Sequence, residues 1–256
     1  MTDTIFSEAA NGIQRIEIRR AAKRNALTNE MYTALERAFE QARADGAVRV
    51  VLVLGAPGVF TAGNDIADFL ANPPLDADAP VLRWLRSLAQ CEKPVVAGVA
   101  GMAVGVGTTM LLHCDYVVAS QDAQFHLPFV NLGLCPEAAS SLLLPLAIGH
   151  KRASEMLLFG ERVPAASALD WGLVNAVVPN DRLVEVAEKL AAVLAAKPPG
   201  ALVATKKLLR RTLAPAIAET LAVESRQFGE LLGSPAAKEC FTAFIEKRAP
   251  DPSRFT

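Results

Sequence analysis

The sequence is poor in the residues that hold metals or cross-link chains. It has three histidines and four cysteines (Cys91, Cys114, Cys135 and Cys240), and no two cysteines form a CxxC pair. That leaves no zinc-type spacing and no disulfide framework, and it reads as free buried thiols in a reducing compartment. Charge of one sign is scarce as well. Lys and Arg number 26 against 27 Asp and Glu, a net charge of −1, which gives no field to hold nucleic acid or an anionic membrane. The opening MTDTIFSEAANG has no basic segment followed by an apolar run, so no secretory leader and a cytoplasmic, soluble protein are expected. Familiar nucleotide and nucleophile motifs are missing too. A GxGxxG would need Gly105, Gly107 and a glycine where Met110 stands, and neither GxxxxGK[ST] nor GxSxG occurs.

What is present is organised around residues 94–119, PVVAGVAGMAVGVGTTMLLHCDYVVA, where positions 94–112 carry no charged side chain. Nineteen such residues would span a bilayer. Gly98, Gly101, Gly105 and Gly107 instead suggest a strand (95–99), a glycine-rich turn (100–106), a buried helix (107–112) and a strand (116–119). Glycines let backbone N–H groups approach a ligand, and N–H groups at a helix start suit negative charge. The turn therefore reads as a candidate oxyanion site.

The rest of the chain alternates strand and helix through its first two-thirds. IQRIEI (13–18) alternates as a strand, and Thr28 is a candidate N-cap for an amphipathic helix over 29–44 carrying Met31, Leu35, Ala38, Phe39 and Ala42 on one face. Residues 50–54 form a continuous apolar strand, as expected when both faces are buried. Residues 55–58 turn into VFTAGNDIADF, 71–78 read as loop, and Leu82, Leu85, Leu88 and Ala89 mark a helix. Further strands are expected at 125–127 and 173–178, with helices at 138–148, 150–159 and 164–171. Helical patterns fill 181–196, 200–213, 215–232 and 235–247. This predicts an α/β fold with a core over 1–196 and a helical region over 197–256.

Several stretches, taken in order, resemble the crotonase (enoyl-CoA hydratase/isomerase) superfamily: KRNAL (23–27), FTAGNDI (60–66), GMAVGVGTTML (101–111), HCDYVVAS (113–120), ALDWGLVNAVVP (168–179) and AFIEKRAP (243–250). The resemblance implies a spiral of ββα repeats, a C-terminal helical trimerisation region, and a homotrimer or dimer of trimers. It implies an acyl-CoA thioester as substrate, with no metal and no separate cofactor. The thioester carbonyl would sit between the backbone N–H groups of Asn64 and Val106, where the enolate charge develops. Ala62 and Ile66 would offer backbone atoms to adenine, Arg24 and Ala26 would line the CoA path, and Phe244 and Lys247 would reach a neighbouring subunit's CoA. Asp65 reads as closing a turn, and His113 and Asp115 as core and turn residues.

The acid/base residue separates members of that superfamily. Hydratases use two glutamates, and the matching positions here are Thr109 and Phe129. LGLCPEAASS (132–141) instead carries Glu137 after Pro136, which resembles the Δ3,Δ2-enoyl-CoA isomerases, where one glutamate is the base. Read from the residues alone, an acid at a helix start is also favoured by the helix dipole. A dehalogenase of the superfamily needs a histidine in the preceding helix, and 79–92 contain none. The resemblance thus implies an isomerase moving a double bond from the 3- to the 2-position. The alternatives are a hydratase or other crotonase chemistry and, outside catalysis, an acyl-CoA binder or an RNA-binding relative, the last disfavoured by the near-neutral charge.

Overall fold

In the computed structural model, residues 4–56, 58–76 and 78–256 are described. The readings of the first residues as leaderless, of the 55–58 turn and of the 71–78 loop fall partly on residues 1–3, 57 and 77, outside that set. The chain opens with a hairpin of β1 (Ile5–Ala10) and β2 (Ile13–Ile18), joined by Asn11 and Gly12 with φ of 53° and 78°, the pair a type I′ turn favours. The sequence pattern gave no sign of β1, whose outer residues are mostly exposed. Next comes α1 (Asn29–Ala44), whose cap Thr28 accepts from the Met31 N–H at 3.3 Å and whose five expected apolar residues are buried, together with Tyr32 as a sixth. Then follow β3 (Val50–Gly55), α2 (Ile66–Ala71), α3 (Pro80–Ala89), β4 (Val95–Val99), β5 (Met102–Val104) and α4 (Val106–Thr109). The order continues with β6 (Tyr116–Ser120), β7 (Gln124–His126), α5 (Ser140–Ile148), α6 (His150–Ser154), β8 (Arg162–Pro164), α7 (Ala165–Trp171) and β9 (Ala176–Val178). Four helices close the chain: α8 (Leu183–Ala195), α9 (Pro199–Arg210), α10 (Ala214–Leu232) and α11 (Pro235–Glu246).

Six strands form one sheet in the order β1-β2-β3-β4-β6-β9, antiparallel at its first pair and parallel thereafter. Its centre explains the uninterrupted apolar runs. Val51, Val53, Val95 and Ala97 face the main core, while Val50, Leu52, Leu54 and Val96 face Ala187 and Ala191 of α8. Neither face of β3 or β4 meets water, so neither strand alternates.

A second, smaller sheet holds β5-β7-β8. Single bridges extend it backwards, Thr61 to Ala103 and Leu27 to Asn64. The chain therefore visits the large sheet, then the small one, then a helix, and repeats: β3 leads to 61–64 and α2, β4 to β5 and α4, β6 to β7. This is the α/β spiral of ββα turns that the resemblance implied. The uncharged stretch 94–112 is spent on β4, β5, α4 and a 3₁₀ turn. No helix among the described residues is long and apolar enough to cross a membrane.

Several boundaries differ from the sequence reading. The glycine-rich turn contains β5, because its backbone pairs with β7. The expected helix over 107–112 is one α turn followed by the 3₁₀ turn Met110–His113. The unassigned 66–70, with Ala71 from the expected loop, form α2, capped by Asp65. Residues 155–159 wind as a π turn, β8 precedes α7, and only 176–178 of the 173–178 stretch is strand. Helix α5 starts at Ser140 rather than at 138, for a reason that bears on the site.

Candidate active site

Two backbone N–H groups are left over where the small sheet turns into helices. Residues 61–64 run between the 24–27 segment and β5. Thr61 N–H donates to the Met102 carbonyl at 2.9 Å, and Ala62 N–H donates to the Arg24 carbonyl at 3.0 Å. Gly63 then takes φ +83° and breaks the alternation. Leu27 N–H donates to the Gly63 carbonyl at 2.8 Å and Asp65 N–H donates to the Leu27 carbonyl at 2.8 Å. Since no peptide among the described residues is cis, the Asn64 N–H points opposite to that Gly63 carbonyl, away from Leu27.

The same argument holds at Gly105. Its carbonyl accepts from Thr108 N–H (2.8 Å) and Thr109 N–H (3.0 Å) inside α4. The Val106 N–H on that peptide therefore points out of the helix start. Gly105 has φ 55° and ψ −120°, the second-residue geometry of a type II′ turn, which only glycine takes without strain. Among the described residues neither the Asn64 N–H nor the Val106 N–H has a protein acceptor. The two turns touch: a Cβ on Gly63 would come within 2.7 Å of the Val104 carbonyl oxygen, and one on Gly107 within 2.4 Å of Thr61 Cγ2. At Gly105 a Cβ would meet nothing within 4 Å. Open space thus lies beside a pair of unengaged donors.

Glu137 stands close to this pair. Thr109 Oγ1, one turn along α4 from Val106, donates to Glu137 Oε1 at 2.5 Å. Burial is the main cause that pushes the Glu137 carboxyl from its usual 4.5 up to about 8; the Glu224 charge adds to the rise and the Thr109 hydrogen bond opposes it. On the other side, Tyr32 Oη donates to Asn64 Oδ1 at 2.5 Å. The buried Tyr32 phenol titrates well above its usual range, through burial and then the charges of Glu137 and Asp68. Its ring lies 5.3 Å from that of Trp84.

Glu137 does not sit in the first turn of a helix, contrary to the sequence reading. Ala138 and Ala139 follow it with φ of 60° and 56°, both left-handed, and α5 begins only at Ser140. The helix-dipole explanation of an acid at this position therefore loses its basis. Glu224 of α10 occupies that role: its carboxylate accepts from Ala139 N–H at 2.6 Å, Ser141 N–H at 2.9 Å and Ser141 Oγ at 2.5 Å.

The other singled-out residues fall into clear places. Asp65 caps α2 through the N–H groups of Ala67 and Asp68 and pairs with Arg20 at 2.7 Å, which, ahead of other causes, holds its carboxyl below the usual range. Arg20 also donates to the Ala26 carbonyl at 2.9 Å, so 24–27 and Asp65 are tied together. Arg24 is exposed and left-handed, with φ 51°. Ala62 has its N–H engaged, leaving its carbonyl, and Ile66 is the first residue of α2. Phe244 is 60% exposed and Lys247 ends α11 in the left-handed conformation. Phe129 is buried. His113 is buried with Nε2 against the Ala138 carbonyl at 2.8 Å, and burial lowers it to about 4, so it is neutral and donates there. Asp115 accepts from Val95 N–H and Lys206 Nζ.

Sequence reasoning missed Tyr32, Glu224 and Asn25. Asn25 is wholly buried and bonds the carbonyls of Val59 and Phe60 at 3.0 Å each. A signal existed for the first two. Tyr32 lies on the apolar face of α1, and Glu224 lies in register with the buried Ile217 and Phe228 of α10. A polar group on a buried stripe needs a partner.

A family model described as enoyl-CoA hydratase/isomerase matches residues 8–253. A 2,3-dehydroadipyl-CoA hydratase of Escherichia coli (strain K12) is 36% identical over 92% of this chain and 93% of its own. A 1,2-epoxyphenylacetyl-CoA isomerase of the same organism is 32% identical over 98% of each. The crystal structure of an enoyl-CoA hydratase/isomerase from Pseudoalteromonas atlantica T6c superposes with a TM-score of 0.93 at 40% identity, over 97% of this chain and 99% of that one.

Proposed function

The chain belongs to the enoyl-CoA hydratase/isomerase family, and from that premise we propose that it converts a 3-enoyl-CoA to the 2-enoyl-CoA with Glu137 as its single base. The observation that carries the reading is the environment of Glu137. It is one carboxyl with a strongly raised proton affinity, beside two unengaged N–H groups, and a hydroxyl and a phenyl ring stand where a hydratase would carry its two acids.

The thioester oxygen accepts from the N–H groups of Asn64 and Val106. Ionised Glu137 removes a proton from the α-carbon. The C–H electron pair becomes the enolate, whose charge rests on that oxygen, and each such donor contributes about 3 kcal/mol at this stage. The protonated Glu137 then returns its proton at the γ-carbon, and the double bond moves into conjugation. No water is added or lost, so one carboxyl suffices. A base serves best when its proton affinity lies near the working pH, which a value of about 8 meets.

CoA is held, in this reading, by Arg24 and Ala26 along its path and by the Ala62 carbonyl and Ile66 N–H at the adenine. Phe244 and Lys247 serve the site of a neighbouring subunit. Leu208, Leu209, Phe244 and Ile245 are each more than half exposed on the terminal helices, a surface that a homotrimer or dimer of trimers would cover; a monomer by light scattering would contradict that. No metal or redox cofactor enters the scheme.

Hydratase names among the relatives favour a second reading, hydration of a 2-enoyl-CoA. The two are separated by offering the wild-type protein a 3-enoyl-CoA and a 2-enoyl-CoA in turn. Appearance of conjugated-thioester absorbance from the first, with little loss of it from the second, supports isomerisation. Rapid loss of it from the second with no gain from the first refutes isomerisation.

A further inference from the structure

We propose that Glu224 is a positioning residue for Glu137: from α10 it holds the left-handed turn that follows the base and places a second negative charge behind it. The inference rests on the reading of Glu137 as the base. Two successive non-glycine residues in the left-handed region, Ala138 and Ala139, are strained and persist only where the surroundings impose them. Here the surroundings are two side chains. The neutral His113 donates to the Ala138 carbonyl. The Glu224 carboxylate takes the N–H groups of Ala139 and Ser141 and the Ser141 hydroxyl, one donor on Oε2 and two on Oε1.

Those three donors suit an ionised carboxylate, and Glu224 is only 5% exposed. Burial raises the Glu224 carboxyl above its usual range, the three donors oppose that rise and favour the ionised form, and its charge then acts at short range in a medium that screens poorly. Burial is the first cause that raises the proton affinity of Glu137 and of Cys135 in the same loop, and the Glu224 charge on that side adds to both. The remaining groups facing Glu137 are Thr109 from α4, whose hydroxyl favours the ionised form, and Tyr32 from α1, which is neutral and feels Glu137 in turn. His113 is neutral as well, with Arg210 of α9 donating to its carbonyl. Glu224 is thus the one charge named among these neighbours that acts to keep the proton on Glu137. It also ties the C-terminal helices to the base.

The test uses glutamate labelled with ¹³C at its side-chain carboxyl. The Glu137 signal is assigned by its loss in Glu137→Gln, and its titration is followed in wild type, Glu224→Gln and Glu224→Asp. The expected result is a Glu137 midpoint that moves to lower pH in Glu224→Gln and stays nearer the wild-type value in Glu224→Asp, which keeps the charge but not the reach. On the alkaline plateau, kcat for a 3-enoyl-CoA should fall by roughly a hundredfold in both variants with little change in KM, as a misplaced base does. A Glu137 midpoint that is unmoved or raised in a folded Glu224→Gln overturns the proposal and leaves the isomerase reading standing. A wild type that isomerises no 3-enoyl-CoA sinks the isomerase reading, while the titration still judges Glu224.

Discussion

Replacing Glu137 by Gln should stabilise the protein, and increasingly so as the pH rises. The carboxyl goes from about 4.5 unfolded to about 8 folded, so the folded state binds its proton more tightly. Below about pH 4.5 the acid is protonated in both states and makes no difference. Between about 4.5 and 8 the unfolded chain ionises while the folded one resists, and stability is lost with rising pH. Above about 8 the loss levels off. Each unit corresponds to about 1.4 kcal/mol, so between about pH 5 and pH 8.5 the full effect is about 4 kcal/mol. Glu137 keeps some contact with solvent, which reduces this to about 2–4 kcal/mol. Gln keeps an oxygen for the Thr109 hydroxyl and carries no charge, so the variant escapes the penalty. The assay is thermal melting of wild type and Glu137→Gln at equal protein concentration at both pH values. The variant's advantage in Tm should grow by roughly 5–15 °C from the lower pH to the higher. An advantage that is absent, or equal at the two pH values, would show that Glu137 is not held protonated by burial.

Three further outcomes follow from the same geometry. The wild-type kcat/KM for a 3-enoyl-CoA should rise with pH about a midpoint near 8, standing at about a tenth of its plateau at pH 7; a profile flat from about pH 6 to 9 would contradict the assigned base. Gly105→Ala should lower kcat by roughly 10²–10³-fold while the protein still folds, because the new Cβ meets open space and only the φ 55° backbone, which aims the Val106 N–H, is disturbed; unchanged kcat would remove Val106 from the scheme. Arg24→Ala and Lys247→Ala should each weaken CoA affinity by calorimetry, and unchanged affinity in both would refute their assignment.

Much of the fold was legible because its elements bury continuous or regularly spaced apolar residues. Helix α1 ends where the 29–44 pattern does, and β4 coincides with 95–99. Elements held by backbone pairing rather than by side chains were not legible. β5 and β8 are three residues each and owe their existence to β7. In the site, the glycines announced a turn with free N–H groups, and the family resemblance singled out Glu137. The left-handed pair after it could not be read, since Ala138 and Ala139 are good helix formers and the groups that bond their backbone, His113 and Glu224, lie far away in sequence. Pairing of Tyr32 with Asn64, across 32 positions of sequence, is likewise a product of the spiral bringing α1 over the 61–64 turn.

The central claim is that Glu137 alone carries the proton between the α- and γ-carbons. It is tested most directly by single-turnover reaction of a 3-enoyl-CoA with wild type and with Glu137→Gln, followed by the absorbance of the conjugated product. The variant should bind the thioester as wild type does and form product more slowly by a factor at or above about 10⁴, the upper end for loss of a general base. Wild-type rates surviving in Glu137→Gln, or a variant that still hydrates 2-enoyl-CoA rapidly, would mean that another group performs the chemistry.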